Sequence, residues 1–175
     1  MKASCCTVVI ALSVPGVALG EPSQAKEYAR RSTTAFLASE LQPLQTVATR
    51  LEIDGGVRWH RAGWAVEARA GVGFSASGAA NGYQFGFRAG VSAGRSLPVG
   101  CRVALTPMVA ADVFAYRQGS GASVLAIPRI TVELPVSIVL YPHVVLEPVV
   151  QVGVQWVDGL GDIAVVLGPR IGVVL

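Results

Sequence analysis

From Val47 onward, apolar and polar residues alternate with a period of two. "VATRLEIDGGVRW" sets Val47, Leu51, Ile53, Val57 and Trp59 against Arg50, Glu52, Asp54 and Arg58. "WAVEARAGVGFSA" sets Trp64, Val66, Ala68, Val72 and Phe74 against Glu67, Arg69, Gly71, Gly73 and Ser75. "YQFGFRAGVSAG" sets Tyr83, Phe85, Phe87, Ala89 and Val91 against Gln84, Gly86, Arg88, Gly90 and Ser92. "CRVALTPMVAADVFAY" sets Val103, Leu105, Val109 and Val113 against Arg102, Thr106 and Asp112. The last run, "IAVVLGPRIGVVL", sets Ile163, Val165, Leu167, Ile171, Val173 and Leu175 against Gly168, Arg170 and Gly172. Sustained alternation of this kind predicts strands buried on one face.

The stretch Ile130–Trp156 has only two acids, Glu133 and Glu147, and its hydropathy resembles that of a membrane-crossing helix. Its period argues otherwise. Ile130, Val132, Leu134, Val136, Ile138 and Leu140 share one parity, and Arg129, Thr131, Glu133 and Ser137 share the other. After "YPH" the alternation resumes, with Val144, Leu146, Val150, Val152, Val154 and Trp156 against Glu147, Gln151, Gly153 and Gln155. Pro135, Pro142 and Pro148 would break a helix. The stretch therefore reads as two strands and a tight turn.

Turn chemistry separates the runs: "HRAG" (60–63), "ASGAANG" (76–82), "LPVG" (97–100), "RQGSGA" (117–122) and "DGLGD" (158–162). Hairpin follows hairpin, so the fold class is all-β, an antiparallel up-and-down meander. Seven strands follow, at about 47–59, 64–76, 83–96, 101–116, 123–140, 144–157 and 163–175. An up-and-down meander that closes its last strand antiparallel onto its first needs an even number. The eighth strand is sought before residue 47, in "RRSTTAFLASEL", or else a turn is hidden at Asp54-Gly55-Gly56. The same segment, Pro22–Gln42, also reads as a short amphipathic helix. Ser23 would cap it, Ala25, Ala29, Ser32 and Phe36 would share a face, and Pro43 would end it. Residues 21–46 are thus a short helix or a first strand, ahead of a barrel over 47–175. Pro107, Pro128, Pro135 and Pro148 fall inside strands, where bulges are expected to accommodate them.

Parity alone does not say which face looks inward. The charges do. Arg50, Glu52, Asp54, Arg58, Glu67, Arg69, Arg88, Arg102, Asp112, Arg129, Glu133, Glu147 and Arg170 all share the polar parity, and the apolar parity holds only Arg95, near a turn. Near-matched arginines and acids suit a narrow lumen, where each buried charge needs a partner. Gly, Ser, Ala and Gln fill the rest of that face, and glycine is disfavoured on a solvated strand. Trp59, Trp64, Tyr83, Phe85 and Trp156 lie on the apolar parity beside turns, the position of aromatic girdles. Within the lumen, Glu133 and Glu147 are expected to neutralise Arg129 and Arg170.

Composition supports a membrane protein. Charged residues make up 14% of the 175-residue chain, and lysine occurs only at Lys2 and Lys26. The net charge of +3 is dispersed arginine, with no basic cluster and no nucleic-acid footprint. Met1-Lys2, the apolar Thr7–Leu19 and "ALG" (18–20) read as a cleaved secretory signal over 1–20. Cys5 and Cys6 would leave with it, so Cys101 forms no intramolecular disulfide and no multi-cysteine metal site.

On this pattern, residues 47–175 resemble the small eight-stranded outer-membrane β-barrels of bacteria. The closing "IGVVL" resembles the terminal strand by which such barrels are assembled, although these usually end in an aromatic residue and this chain ends in Leu175. The resemblance implies a bacterial outer-membrane location, a membrane-lipid environment and the barrel-assembly machinery as a partner; an envelope protein partner is left open and unidentified. It carries no function-specific motif. A lumen filled with side chains implies a plugged barrel and a structural or interaction role. No catalytic residue, metal or cofactor is expected. Two other readings remain: a soluble, lipocalin-like periplasmic barrel binding an apolar ligand, and a lipid-modifying enzyme. The enzyme would have to use His60 or His143, both in turns, with a serine brought near in space such as Ser137.

Overall fold

The computed structural model describes residues 24–42, 48–77, 83–117, 124–141, 143–157 and 159–175. The expected signal segment 1–20 lies outside them. The chain opens with α1 (Gln24–Arg30), which runs directly into β1 (Arg31–Gln42). Both expectations for this segment were half right. The helix ends at Arg30 rather than Gln42, and the strand begins there. Ser32 Oγ donates to the Tyr28 carbonyl at 2.9 Å, drawing one of the last helical acceptors away from the ladder. Beyond it Phe36, Ala38, Glu40 and Gln42 alternate in burial with Leu37, Ser39 and Leu41.

The remaining strands are β2 (Ala48–Arg61), β3 (Trp64–Ser77), β4 (Tyr83–Arg95), β5 (Leu97–Pro98), β6 (Val103–Leu105), β7 (Met108–Arg117), β8 (Val124–Tyr141), β9 (Val144–Val157) and β10 (Leu160–Val174). All pairings are antiparallel, and β10 returns to β1, so the sheet closes on itself with no free edge. Eight staves form the ring, in the order β1, β2, β3, β4, β7, β8, β9, β10. The short β5 and β6 extend β4 and β7 at one end. The expected strand 101–116 is thus split at Thr106-Pro107, but its register against β8 is kept on both sides, from Val103↔Ile138 to Met108↔Glu133. No turn interrupts β2 at Gly55-Gly56, which pair in sequence with Leu37 and Phe36.

The prolines are not accommodated by bulges. Pro128 pairs with Val113 in unbroken register, and the register shift between β8 and β9 lies at Val139/Tyr141, away from any of the four. Pro148 and Pro169 instead face each other across β9 and β10. Pairing lapses on their outer sides, at 136–137 of β8 and at 39–40 of β1, and resumes without a shift. Two missing donors are thereby confined to two short gaps.

One end of the ring holds α1, the start of β1, the end of β10, the turns at 62–63 and 99–102, and His143; we call it the proximal end. There α1 lies across the opening. Tyr28 packs with Ala104, Val139 and Val145, and the Ala25 amide donates to the Cys101 carbonyl at 3.2 Å. Ala62 and Gly63 both have positive φ, 53° and 81°, which makes the β2–β3 connection a two-residue primed turn. The exterior is apolar. Leu37, Phe87, Val109, Val132, Ile163 and Ile171 are all more than half exposed. No helix among the described residues is long and apolar enough to cross a membrane.

Candidate functional site: the charged lumen

The lumen is lined by the inward parity of the eight staves. Twelve of the thirteen residues expected there are buried: Arg50, Glu52, Asp54, Arg58, Glu67, Arg69, Arg88, Asp112, Arg129, Glu133, Glu147 and Arg170. The thirteenth, Arg102, is half-buried in the turn between β5 and β6, at the end of the barrel rather than on a stave. The sequence reading missed Glu40, which is fully buried on β1 and central to the network.

Arg88 sits where the carboxylates converge. Its Nη1 donates to Glu40 Oε2, Glu52 Oε2 and Asp54 Oδ2, each at 2.6 Å, and its Nη2 donates to Asp112 Oδ2 at 3.3 Å. Arg170 reaches Glu40 Oε1 at 2.8 Å through Nη2 and Glu67 Oε1 at 3.1 Å through Nη1. Arg58 forks onto Glu67 Oε2, at 2.8 Å from Nε and 2.6 Å from Nη2, while its Nη1 takes Glu147 Oε1 at 2.6 Å. Arg69 bonds Glu133 and lies 3.4 Å from Asp112 Oδ2. Arg129 bonds Asp112 Oδ1 at 2.9 Å and Glu52 Oε2 at 3.0 Å. Arg50 lies 3.5 Å from Glu52 Oε1 and stacks over the Phe114 ring at 4.3 Å.

The partners differ from those expected. Arg129 is neutralised by Asp112 and Glu52, not by Glu133. Glu147 is taken by Arg58, although its backbone partner is Arg170. Glu133 does approach Arg170, at 3.6 Å, alongside Arg69. The guanidinium groups span the lumen, so the nearest carboxylate is set by the ring and not by the adjacent strand. Fork geometry explains the choice of arginine: five donors on one plane can join three or four carboxylates, which a lysine ammonium does poorly.

Six arginines and seven carboxylates are buried together here. Removing ions from water costs several kcal/mol each, and dense pairing offsets it. Glu40, Glu52 and Asp54 have oxygens within 4.8 Å of one another, a spacing that suits a cation. Arg88 Nη1 already stands among those oxygens, so the trio is a guanidinium site. Glycines make room for two inward aromatics. A Cβ at Gly56 would overlap the Phe36 ring, and one at Gly73 or Gly86 would overlap Phe114. Phe36 in turn lies between Arg58 and Arg170, at 5.8 and 5.3 Å.

At the proximal end α1 closes the network. The buried Tyr28 hydroxyl donates to Glu147 Oε1 at 3.2 Å, and Ser137 Oγ bonds the same carboxylate. Burial first, and the Glu147 carboxylate second, push the Tyr28 hydroxyl up to about 12.

No protein-family model matches the chain, and no curated protein does. Solved structures do. The crystal structure of Neisserial surface protein A superposes with a TM-score of 0.56 at 14% identity, over 81% of this chain and 94% of that one. The crystal structure of Ail, the attachment invasion locus protein of Yersinia pestis, gives 0.53 at 10% identity, over 82% and 97%. Ail in a phospholipid bilayer nanodisc, described as an outer membrane protein, gives 0.51 at 10%. The chain has the fold of the small outer-membrane barrels. At these identities the likeness is one of architecture, and it extends over nearly the whole length of those proteins.

The residues expected to form a girdle divide between the two ends of the barrel. Trp59 and Trp64 are exposed near the proximal end, Phe85 and Trp156 near the opposite one. Phe85 makes edge-on contacts with Phe74 and Phe87, both at 5.2 Å between centroids. The Tyr83 side chain lies outside the described residues. The two histidines separate. His143 is exposed, and its Nδ1 lies 3.3 Å from the Val174 carbonyl oxygen. His60 is buried beneath α1, with its Nδ1 2.9 Å from Ser32 Oγ. Ser137 is engaged with Glu147 and meets neither histidine.

Proposed function

We propose that the chain is an integral outer-membrane β-barrel with a plugged, charge-filled lumen and a structural or interaction role in the envelope. One observation carries this: the charges are inside and the large apolar side chains are outside. Leu37, Phe87, Val132 and Ile171 would be poor partners for water, while Glu40, Glu52, Glu67 and Glu133 would gain nothing from being withdrawn from it in a soluble barrel. A lipocalin-like protein needs the reverse, an apolar cavity and a polar exterior. Residues 1–20 serve as the cleaved secretory signal, which places the proximal end in the periplasm. The chain then passes through the barrel-assembly machinery.

Plugging follows from the lumen contents. Arginine–carboxylate bridges cross it in several layers, and α1 with Tyr28 covers one mouth. The surroundings of the histidines support a non-catalytic role. Ser32 Oγ directs its proton to the Tyr28 carbonyl, and His60 Nε2 has no hydrogen-bond partner where a relay would need an orienting acid. Fractionation tests the reading: the protein should require detergent for extraction and run faster in SDS gels unheated than boiled. Solubility without detergent would reject it. In planar bilayers it should show no steady conductance. His60→Ala should leave the lipid A profile unchanged by mass spectrometry; an altered profile would reinstate the enzyme reading.

A further inference from the structure

Two arginines face each other on the outside of the proximal rim. Arg31 and Arg61 are direct cross-strand partners, and both are exposed. They share the outer parity with Leu37 and Trp59. Like charges directly opposite destabilise a strand pair, and no carboxylate among the described residues pairs with either. The same ladder row continues through Trp64, the partner of Arg61, to Arg95, the partner of Trp64. Arg95 stacks over the Trp64 ring at 5.3 Å. The primed turn at Ala62-Gly63 sets Arg61 and Trp64 side by side. Four adjacent staves thus present Arg, Arg, Trp and Arg in one row, roughly 15 Å long at the usual strand spacing.

The next row towards mid-barrel is Thr33, Trp59, Val66 and Ala93, with Trp59 and Val66 about half exposed. An occupant must therefore be anionic at the rim and apolar immediately beside it. An acidic peptide satisfies the first condition only. An amphiphile with a phosphate satisfies both. We propose that Arg31, Arg61, Trp64 and Arg95 form a binding site for the headgroup phosphate of an anionic phospholipid, whose acyl chains run along Trp59, Val66 and Ala93. The site rests on the membrane reading above and adds a preference among lipids to it. The two arginines that repel each other in its absence are bridged when it is filled, and Trp64 stands at headgroup depth as interfacial tryptophans do.

The test uses the full mature chain inserted into vesicles of equal parts phosphatidylglycerol and phosphatidylcholine. Native mass spectrometry reads the lipid retained, and heat-modifiable migration reads insertion. Wild type should retain phosphatidylglycerol over phosphatidylcholine by about fivefold or more, and high salt should reduce that preference. Arg31→Gln with Arg61→Gln should insert and lose the preference, whereas Lys26→Gln, on the exposed side of α1, should keep it. Insertion of wild type without a preference, or a preference that survives the double substitution, overturns the site and leaves the barrel reading standing. Failure of wild type to insert overturns both.

Discussion

Strand β9 carries two opposite surfaces on one backbone. Val145, Glu147, Val149 and Gln151 are buried, while Leu146, Val150, Val152 and Val154 are 37–49% exposed. The inner set includes a carboxylate shared by Arg58, Tyr28 and Ser137. The outer set has no polar partner to find. Each face suits a different medium, and the energetics differ accordingly. An inner residue is coupled to several others, so its loss leaves charges stranded without water. In the proposed membrane setting an outer residue meets acyl chains, which accept one aliphatic side chain as readily as another.

The contrast predicts a graded series of effects on heat-unfolding in detergent. Arg88→Leu should be the most damaging. It leaves Glu40, Glu52 and Asp54 close together without their shared donor, at least the ~3–5 kcal/mol of a broken buried pair. Arg88→Lys should recover only part, since one ammonium cannot serve all four carboxylates. Glu147→Leu should follow at about 3–5 kcal/mol, because Arg58 keeps Glu67 but loses its second carboxylate. Gly73→Val should cost about 1–3 kcal/mol by displacing the Phe114 ring. Ala70→Val, on the exposed side of the same strand, should cost far less.

Tyr28→Phe should cost about 1.5–3 kcal/mol at neutral pH, the worth of a hydrogen bond to a charged group. Tyr28 has a folded-state pKa of about 12 against an ordinary 10. Its contribution is therefore complete below pH 10 and lost as the pH rises through 12. The difference between wild type and Tyr28→Phe, measured by unfolding across that window, should shrink. A difference that grows would contradict the burial of the hydroxyl. Val150→Leu, on the outer face, should fall within about 0.5 kcal/mol of wild type. If it matched Glu147→Leu, the assignment of faces would fail.

Seven of the eight staves were legible because alternation of charge against apolar residues needs no tertiary information. Glu133 and Glu147, apparent interruptions of an apolar run, marked the inner parity. β1 was obscured for two physical reasons. Helix formers of α1 adjoin it without a break, and Phe36 places a large aromatic on the inner face, which blurs the alternation. Glu40 was lost with it. The inward Phe36 makes sense only beside Gly56, on a strand that the sequence does not announce as its neighbour. The parity of the charges was legible but their partners were not. Which guanidinium reaches which carboxylate depends on distances across a closed ring, as with Arg129 and Glu52, whose staves are not adjacent. The facing of Pro148 and Pro169 likewise depends on register between strands, which a single strand's pattern does not encode.

The central claim is that β9 turns Val150 outward and Gln151 inward. A single tryptophan reports on this directly, in a chain whose three native tryptophans are changed to Phe and which is inserted into vesicles containing lipids brominated along the acyl chain. Val150→Trp should be strongly quenched by the bromines and insensitive to aqueous iodide. Quenching by iodide with no effect of brominated lipid would contradict the account.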